Sequence, residues 1–369
     1  MLLHGIFPPI TTPFYPDGRV YLKKLEHNVE RYSKTPAAGM VVLGSSGEAI
    51  MLSDEEKREV LKTARESSAP QKALIAGTGA ESVSETLRLT EYAADLGYDA
   101  ALVRTPHFYR PQMQPANLLA FYRIIADRSA IPILIYSVPV FTKYDMPPEL
   151  VIELAEHPNI IGIKESGGDS AKVRQMVEGS RHIQRSATVT ETFSAVTPRM
   201  LKAVQAESAS NKGGLVPIAV LAGASSIEGK GTARSVDLST SSLSIQVLGS
   251  LKTRQKEVGF QVLAGTAQRL LRCLEAGAVG GVLAFANPAP TACYEIYVAW
   301  KEGDSELARL KQERISGAAT RVASELGIPG LKYALDLNGY YGGLPRLPLL
   351  PLTADQRDEI GRLMTDIRN

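Results

Sequence analysis

Short apolar runs alternate with helix-period stretches along most of this chain, and that alternation constrains the fold more than any other feature. Runs at 5–10, 39–43, 73–77, 100–104, 131–136, 160–163, 260–264 and 281–284 are each followed by a helix-like segment. Helical spacing is clearest at 22–32, where Leu22, Leu25, Val29 and Tyr32 share a face, and at 54–67, where Ser53 and Glu56 form a capping-box signature. Further helices are expected at 82–96, 116–127, 148–156, 171–178 and 267–276. Regular β–α alternation predicts a parallel sheet with helices outside it. A doubly wound open sheet is the rival, but no Gly-x-Gly-x-x-Gly follows a strand, and eight units favour a closed (β/α)8 arrangement, the TIM barrel. Past Trp300, stretches 305–323, 331–337 and 354–367 read as a C-terminal helical extension.

One connection breaks the pattern. Residues 183–255 stand between the sixth helix and the seventh strand, where about 2–6 residues normally suffice. The stretch is rich in Ser and Thr, with a possible helix at 196–204, a possible strand at 215–221 and a mobile-looking run at 235–244. The expected organisation is therefore a barrel over 1–302, interrupted by an insertion at 183–255, then a helical extension over 303–369. An αβ connection enters the amino-terminal face of a barrel, so the insertion is expected to lie away from the catalytic face.

The stretch that carries chemistry is Ile160-Ile161-Gly162-Ile163-Lys164-Glu165-Ser166-Gly167-Gly168-Asp169. A buried run stops at a lysine, which places an amine at the carboxyl end of a parallel strand. An amine shielded from water is more readily neutral and can attack a carbonyl to form a Schiff base. Alone, the stretch also admits the commoner reading of a lysine snorkelling from a strand end. Two other loops meet it on that face. Gly44-Ser45-Ser46-Gly47-Glu48 offers two hydroxyls and free backbone N–H groups suited to an anion, although Gly/Ser turns after strands are common. Tyr136-Ser137-Val138-Pro139 ends the fifth strand on a phenol, a position that packing alone can also explain. An amine, a phenol and a carboxylate cradle together are what a 2-oxo acid requires.

Charge and composition narrow the partners. The chain has 41 basic and 39 acidic residues and no basic tract, so neither nucleic acid nor an anionic membrane is expected as a partner. No apolar run reaches transmembrane length. Two cysteines, Cys273 and Cys293, suit a reducing compartment, and the five histidines form no close metal-ligand pair. The apparent strand at Gly5 leaves no room for a signal or transit peptide, so a cytosolic location is expected.

These residues resemble the class I pyruvate aldolase family that includes dihydrodipicolinate synthase and N-acetylneuraminate lyase. The carrying motifs are Gly44-Ser45-Ser46-Gly47-Glu48, Thr105-Pro106-His107-Phe108-Tyr109-Arg110, Tyr136-Ser137-Val138-Pro139 and Ile163-Lys164-Glu165-Ser166. His157-Pro158-Asn159-Ile160, Ser166-Gly167-Gly168-Asp169, and Gly327-Ile328-Pro329-Gly330-Leu331-Lys332 with Gly339-Tyr340-Tyr341-Gly342-Gly343 look closest to the 4-hydroxy-2-oxoglutarate aldolase branch. The resemblance implies that Lys164 forms the imine and that Tyr136 moves the proton. Ser45 and Ser46 would be the hydroxyl pair that relays that proton, Ser46 as a catalytic group, and with backbone N–H groups they would grip the carboxylate. Ser166 would line the pocket, and Gly265 would let the seventh strand approach the substrate. It further implies a 2-oxo acid substrate with pyruvate as product or donor, no cofactor, and a homodimer or homotetramer. The expected reaction is cleavage of a 4-hydroxy-2-oxo acid to pyruvate and an aldehyde. The alternatives are dehydration or condensation of a 2-oxo-3-deoxy sugar acid or related acid, as in the synthases, and a retired barrel that only binds 2-oxo acids. Two positions depart from the synthases: Phe141 stands where they carry an arginine five residues after the tyrosine, and Phe108 aligns with the relay tyrosine contributed across their dimer interface, with Tyr109 adjacent.

Overall fold

The computed structural model describes residues 1–190 and 253–367. Eight strands form one parallel sheet: β1 (Gly5–Phe7), β2 (Gly39–Val42), β3 (Ala73–Gly77), β4 (Ala100–Arg104), β5 (Ile133–Ser137), β6 (Ile160–Glu165), β9 (Gln261–Ala264) and β10 (Gly280–Val282). Their spatial order is β1-β10-β9-β6-β5-β4-β3-β2. Hydrogen bonds from Ala38 N to Ile6 O and from Ile10 N to Val41 O, each 2.9 Å, join the two ends and close the barrel. The first strand is shorter than its apolar run predicts. Pro8 and Pro9 supply no N–H, so beyond Phe7 only a single bridge, Pro9 to Val41, continues the pairing.

Helices α1 (Leu22–Ser33), α2 (Asp54–Ser67), α3 (Val83–Asp95), α4 (Pro115–Arg128), α6 (Pro148–Ala155), α7 (Ser170–Gly179), α8 (Leu270–Glu275) and α9 (Pro290–Lys301) surround it, with a one-turn helix α5 (Pro139–Thr142) after β5. The box that starts α2 is complete: Glu56 N donates to Ser53 Oγ at 3.2 Å, and Ser53 N donates to Glu56 Oε2 at 2.9 Å. The barrel interior is filled from alternate strand positions, among them Phe7, Val41, Ile75, Leu102, Leu134 and Leu263. The intervening residues, such as Met40, Val103 and Ile135, pack outward under the helices. After α9 the chain adds α10 (Ser305–Ala319), a π-helical turn at Thr320–Glu325, α11 (Gly327–Leu337) and α12 (Ala354–Leu363).

Strand β6 departs from simple alternation. Ile133 pairs with Ile160, but the next residue, Leu134, pairs with Gly162, so the register slips by one. Ile161 packs inside the barrel, whereas Ile163 packs outside it. This bulge rephases the strand and turns Lys164 inward and Glu165 outward. Only glycine fits at 162, because a Cβ there would sit 2.3 Å from Gln261 O.

The chain divides into two units, Met1–Ala187 with Lys256–Asn369, and Thr188–Gln255. Strands β7 (Arg185–Thr190) and β8 (Thr253–Val258), which the sequence pattern did not suggest, pair with each other in a separate two-stranded sheet. Arg185 Nη1 donates to Ile160 O at 2.7 Å, which fixes the start of β7 at the amino end of β6. The helix expected at 196–204, the strand at 215–221 and the run at 235–244 lie outside the described residues.

Candidate active site

The serine turn is built under strain. Val42 ends β2, and Leu43 and Glu48 then bracket residues 44–47 in left-handed backbone conformation, with φ of 61° and 54°. Neither is glycine, and such conformations cost about 1–3 kcal/mol each unless the surroundings hold them. Two anchors do so. Thr12 Oγ1 donates to Gly47 O at 2.7 Å. The Glu48 carboxylate is fully buried and lies 2.6 Å from Lys332 Nζ of α11, itself fully buried. Glu48 Oε2 also accepts from Arg346 N at 2.8 Å. Burial pushes the Lys332 ammonium below its usual range, and the Glu48 carboxylate beside it works the other way.

Three consecutive strands carry Arg104, Tyr136 and Lys164 at one level. Arg104 pairs with Tyr136 between β4 and β5, and Tyr136 pairs with Lys164 between β5 and β6. Lys164 is 5% exposed, and its Nζ lies 4.0 Å from the centroid of the Tyr136 ring. The Tyr136 hydroxyl is 3.3 Å from Ser45 Oγ. Amine, phenol and hydroxyl thus form a continuous chain across the barrel mouth. Beside them opens a cavity of about 500 Å³, lined by Ser45, Tyr136, Arg104, His107, Glu81 and Phe141 among others.

Ser166 and Gly265 meet on the other flank. Gly265 N donates to Glu165 O at 2.7 Å, and a Cβ on Gly265 would fall 2.3 Å from Ser166 Oγ. The glycine therefore admits the serine, a closer contact than the expected approach to substrate. Ser166 Oγ is buried and has no hydrogen-bond partner among the described residues, nor has Thr266 Oγ1 nearby. A buried hydroxyl without a partner costs free energy that a bound oxygen would recover. Ser46 is also buried, but the hydroxyl that meets Tyr136 belongs to Ser45. Of the two serines expected as a hydroxyl pair, it is Ser45 that meets the phenol, because the 3-10 turn Ser45–Gly47 presents its first side chain to β5.

Glu165 faces outward to α7. Its buried carboxylate lies 3.2 Å from Lys172 Nζ and accepts from Gly167 N at 2.6 Å. Burial raises its pKa, and the Lys172 charge opposes that rise. Lys172 also pairs with Asp145. Phe108 and Tyr109 are 75% and 67% exposed and stack edge to face, their centroids 5.2 Å apart. Neither makes a hydrogen bond or ring contact with Tyr136 among the described residues.

Three features escaped the sequence reading: the Glu48–Lys332 pair, the outward Glu165–Lys172 pair, and a cluster in which Glu81 joins Arg104 to His107. A signal existed for Lys332, which lies among Leu331, Ala334 and Leu335 on the apolar face of its helix. A charge on that face needs a buried partner.

A parallel (β/α)8 barrel with a lysine, a tyrosine and a serine turn at the carboxyl ends of its strands is the class that fold and site define. The sequence pattern of the Dihydrodipicolinate synthetase family matches residues 2–204 and 244–367, and the chain belongs to that family. The 4-hydroxy-tetrahydrodipicolinate synthase of Methanosarcina mazei is 38% identical over 179 residues, which cover 48% of this chain and 60% of that protein. That of an Exiguobacterium species is 27% identical over 350 residues, covering 95% and 93%. Among solved structures, the chloride-inhibited dihydrodipicolinate synthase of Acinetobacter baumannii complexed with pyruvate has a TM-score of 0.73 at 26% identity, covering 99% of each chain. The expected placement closest to 4-hydroxy-2-oxoglutarate aldolase is not carried by these comparisons, since each relative named here is a synthase.

Proposed function

We propose that this chain is a class I pyruvate-dependent carbon–carbon lyase or synthase in which Lys164 forms the imine. The observation that carries the reading is the chain Lys164–Tyr136–Ser45, assembled from β6, β5 and the turn after β2 at one end of the barrel. In the condensing direction, Lys164 Nζ attacks C2 of pyruvate, water leaves, and the protonated imine loses a C3 proton to give an enamine. C3 of the enamine attacks an aldehyde carbon, the new C3–C4 bond forms, and the aldehyde oxygen takes a proton from Tyr136. Hydrolysis frees Lys164 and the 4-hydroxy-2-oxo acid. Cleavage is the reverse of these steps, through the same groups.

The synthase names of the relatives favour condensation over the cleavage of 4-hydroxy-2-oxoglutarate as the working direction. Phe141, lining the cavity where the synthases carry arginine, supports an aldehyde other than aspartate semialdehyde. The pyruvate carboxylate fits the serine turn, and Ser166 Oγ is a donor awaiting an acceptor. The loops after β4 and β5 expose Phe108, Tyr109, Val140 and Phe141, apolar side chains suited to contact with a second copy of the chain. The test is reduction with borohydride in the presence of pyruvate. A three-carbon adduct on Lys164, absent from Lys164→Ala, is expected from peptide mass mapping. An intact fold with no adduct at Lys164 would overturn the reading.

A further inference from the structure

The chain Lys164–Tyr136–Ser45 accounts for pyruvate and for one proton, but not for the rest of the cavity. Its next strand ends in Arg104, whose side chain is 18% exposed. The guanidinium is held from one edge. Nη1 reaches Glu81 Oε1 at 2.8 Å, His107 Nδ1 at 2.9 Å and Thr105 O at 3.3 Å. Glu81 is fixed in turn, its Oε2 accepting from His107 N at 2.9 Å and Phe108 N at 3.0 Å. Burial would raise the Glu81 pKa, but the N–H groups of Phe108 and His107, with the Arg104 guanidinium, hold it below the usual carboxylate range. Glu81 is therefore the anion that locks both Arg104 and the loop after β4. Gly79 makes room for this, since a Cβ there would sit 2.4 Å from Arg104 N and 2.9 Å from Arg104 Cγ.

Among the described residues, Nε and Nη2 of Arg104 make no hydrogen bond. They remain a planar donor edge in a cavity that Tyr136 also lines. Adjacent strands are about 4.8 Å apart, so Lys164 and Arg104 stand on opposite sides of Tyr136, roughly 10 Å from each other at the backbone. With C2 on Lys164 and the C4 oxygen at Tyr136, whatever extends beyond C4 runs toward Arg104.

We infer that Arg104, locked by Glu81, is a specificity-determining residue that donates hydrogen bonds to an uncharged, hydroxylated aldehyde half of the substrate. This rests on the imine reading and goes beyond it by assigning the second subsite. Glu81 decides between acceptors. Because its carboxylate already neutralises Arg104, a second carboxylate would meet little net positive charge, whereas a hydroxyl needs only the donor edge.

The experiment condenses pyruvate with three aldehydes, glyceraldehyde, glyoxylate and propanal, and compares Arg104→Met with the full-length wild type. A lost hydrogen bond to a charged donor predicts that the glyceraldehyde-to-propanal ratio of kcat/KM falls about 10-fold or more, carried mainly by KM for glyceraldehyde. Arg104→Lys should recover only part of the ratio, because it restores charge without the fork. Equal losses for all three aldehydes, no change in the ratio, or a larger loss for glyoxylate than for glyceraldehyde would each overturn the assignment. Borohydride trapping of pyruvate on each variant separates the two readings. An adduct at Lys164 with an unchanged aldehyde ratio rejects Arg104 alone, whereas no adduct in the wild type rejects the imine itself.

Discussion

Replacing Lys332 with methionine should destabilise the serine turn from a distance. The residue lies on α11 in the C-terminal extension, 284 positions from Glu48 in sequence (332 less 48), yet the two side chains meet at 2.6 Å with neither exposed. Methionine fills comparable space and removes only the charge and its donors. Glu48 would keep its bond from Arg346 N at 2.8 Å, and Leu344 O would lose the Lys332 Nζ bond of 2.9 Å. Removing one member of a buried ion pair costs about 3–5 kcal/mol, because the other charge stays buried without compensation. The strained φ of Glu48 adds to the tendency of residues 44–48 to relax. Urea titration at constant m should report that loss as a lower midpoint, and trapping of pyruvate should slow as Ser45 leaves Tyr136. The double variant Glu48→Gln with Lys332→Met should be more stable than Lys332→Met alone, since it leaves no uncompensated charge. A loss under about 1 kcal/mol for the single variant, or a double variant no better than the single, would refute the reasoning.

Gly162→Ala should damage catalysis more than its size suggests. The added Cβ meets Gln261 O at 2.3 Å, so the bulge that turns Lys164 inward must shift; borohydride trapping should fall at least tenfold, and wild-type trapping in a folded variant would show that the bulge is not needed. His4 should give the fold an acid limit. Burial, with Lys256 and Lys301 nearby, lowers its pKa from 6.5 to about 4, so the native state holds it neutral while the unfolded chain protonates near 6.5. Stability from this group is full above that pH and declines as pH falls toward 4, by up to about 3 kcal/mol at 1.36 kcal/mol per unit. His4→Gln should flatten that part of the pH–stability curve, and an unchanged slope would show that other groups set it.

The barrel and the placement of Lys164 and Tyr136 at strand ends were legible because both follow local rules. Interior strands read as apolar runs, the α2 start carries its own capping residues, and Lys164 and Tyr136 each end such a run. What stayed hidden depends on partners distant in sequence or on a single register slip. Periodicity places residues 161 and 163 on the same face, but the bulge at 161–162 separates them, so the direction of Lys164 cannot be read from the run. Ser45 and Ser46 have the same side chain, and only the turn geometry decides which meets Tyr136. Arg104 reads as the polar end of a strand, and its function follows from Glu81, 23 residues earlier and on another loop. Helix α9 lacks a clean apolar stripe because Pro290, Ala292, Cys293, Ile296, Tyr297 and Ala299 are all buried around it.

The bulge also explains how a lysine and a glutamate can sit side by side on β6. If both faced the cavity, the carboxylate would pair with the amine and hold it as an ammonium, which is not a nucleophile. Alternation sends neighbours to opposite faces, and the slip at Gly162 selects which of the two goes inward. Glu165, sent outward, would then be an isolated buried anion under α7. Lys172 meets it there at 3.2 Å, and Gly167 N binds its other oxygen at 2.6 Å, which also fixes the turn that carries Ser166. The same logic recurs at Glu48 and at Glu81, where each carboxylate is matched to a cation from another element and a backbone N–H. In each case the paired acid braces the loop that presents a hydroxyl or a guanidinium: Glu165 from outside the barrel, Glu48 and Glu81 from the cavity lining. The loops at this end of the barrel are therefore held by paired charges, and Lys164, which makes no ion pair among the described residues, faces inward between them.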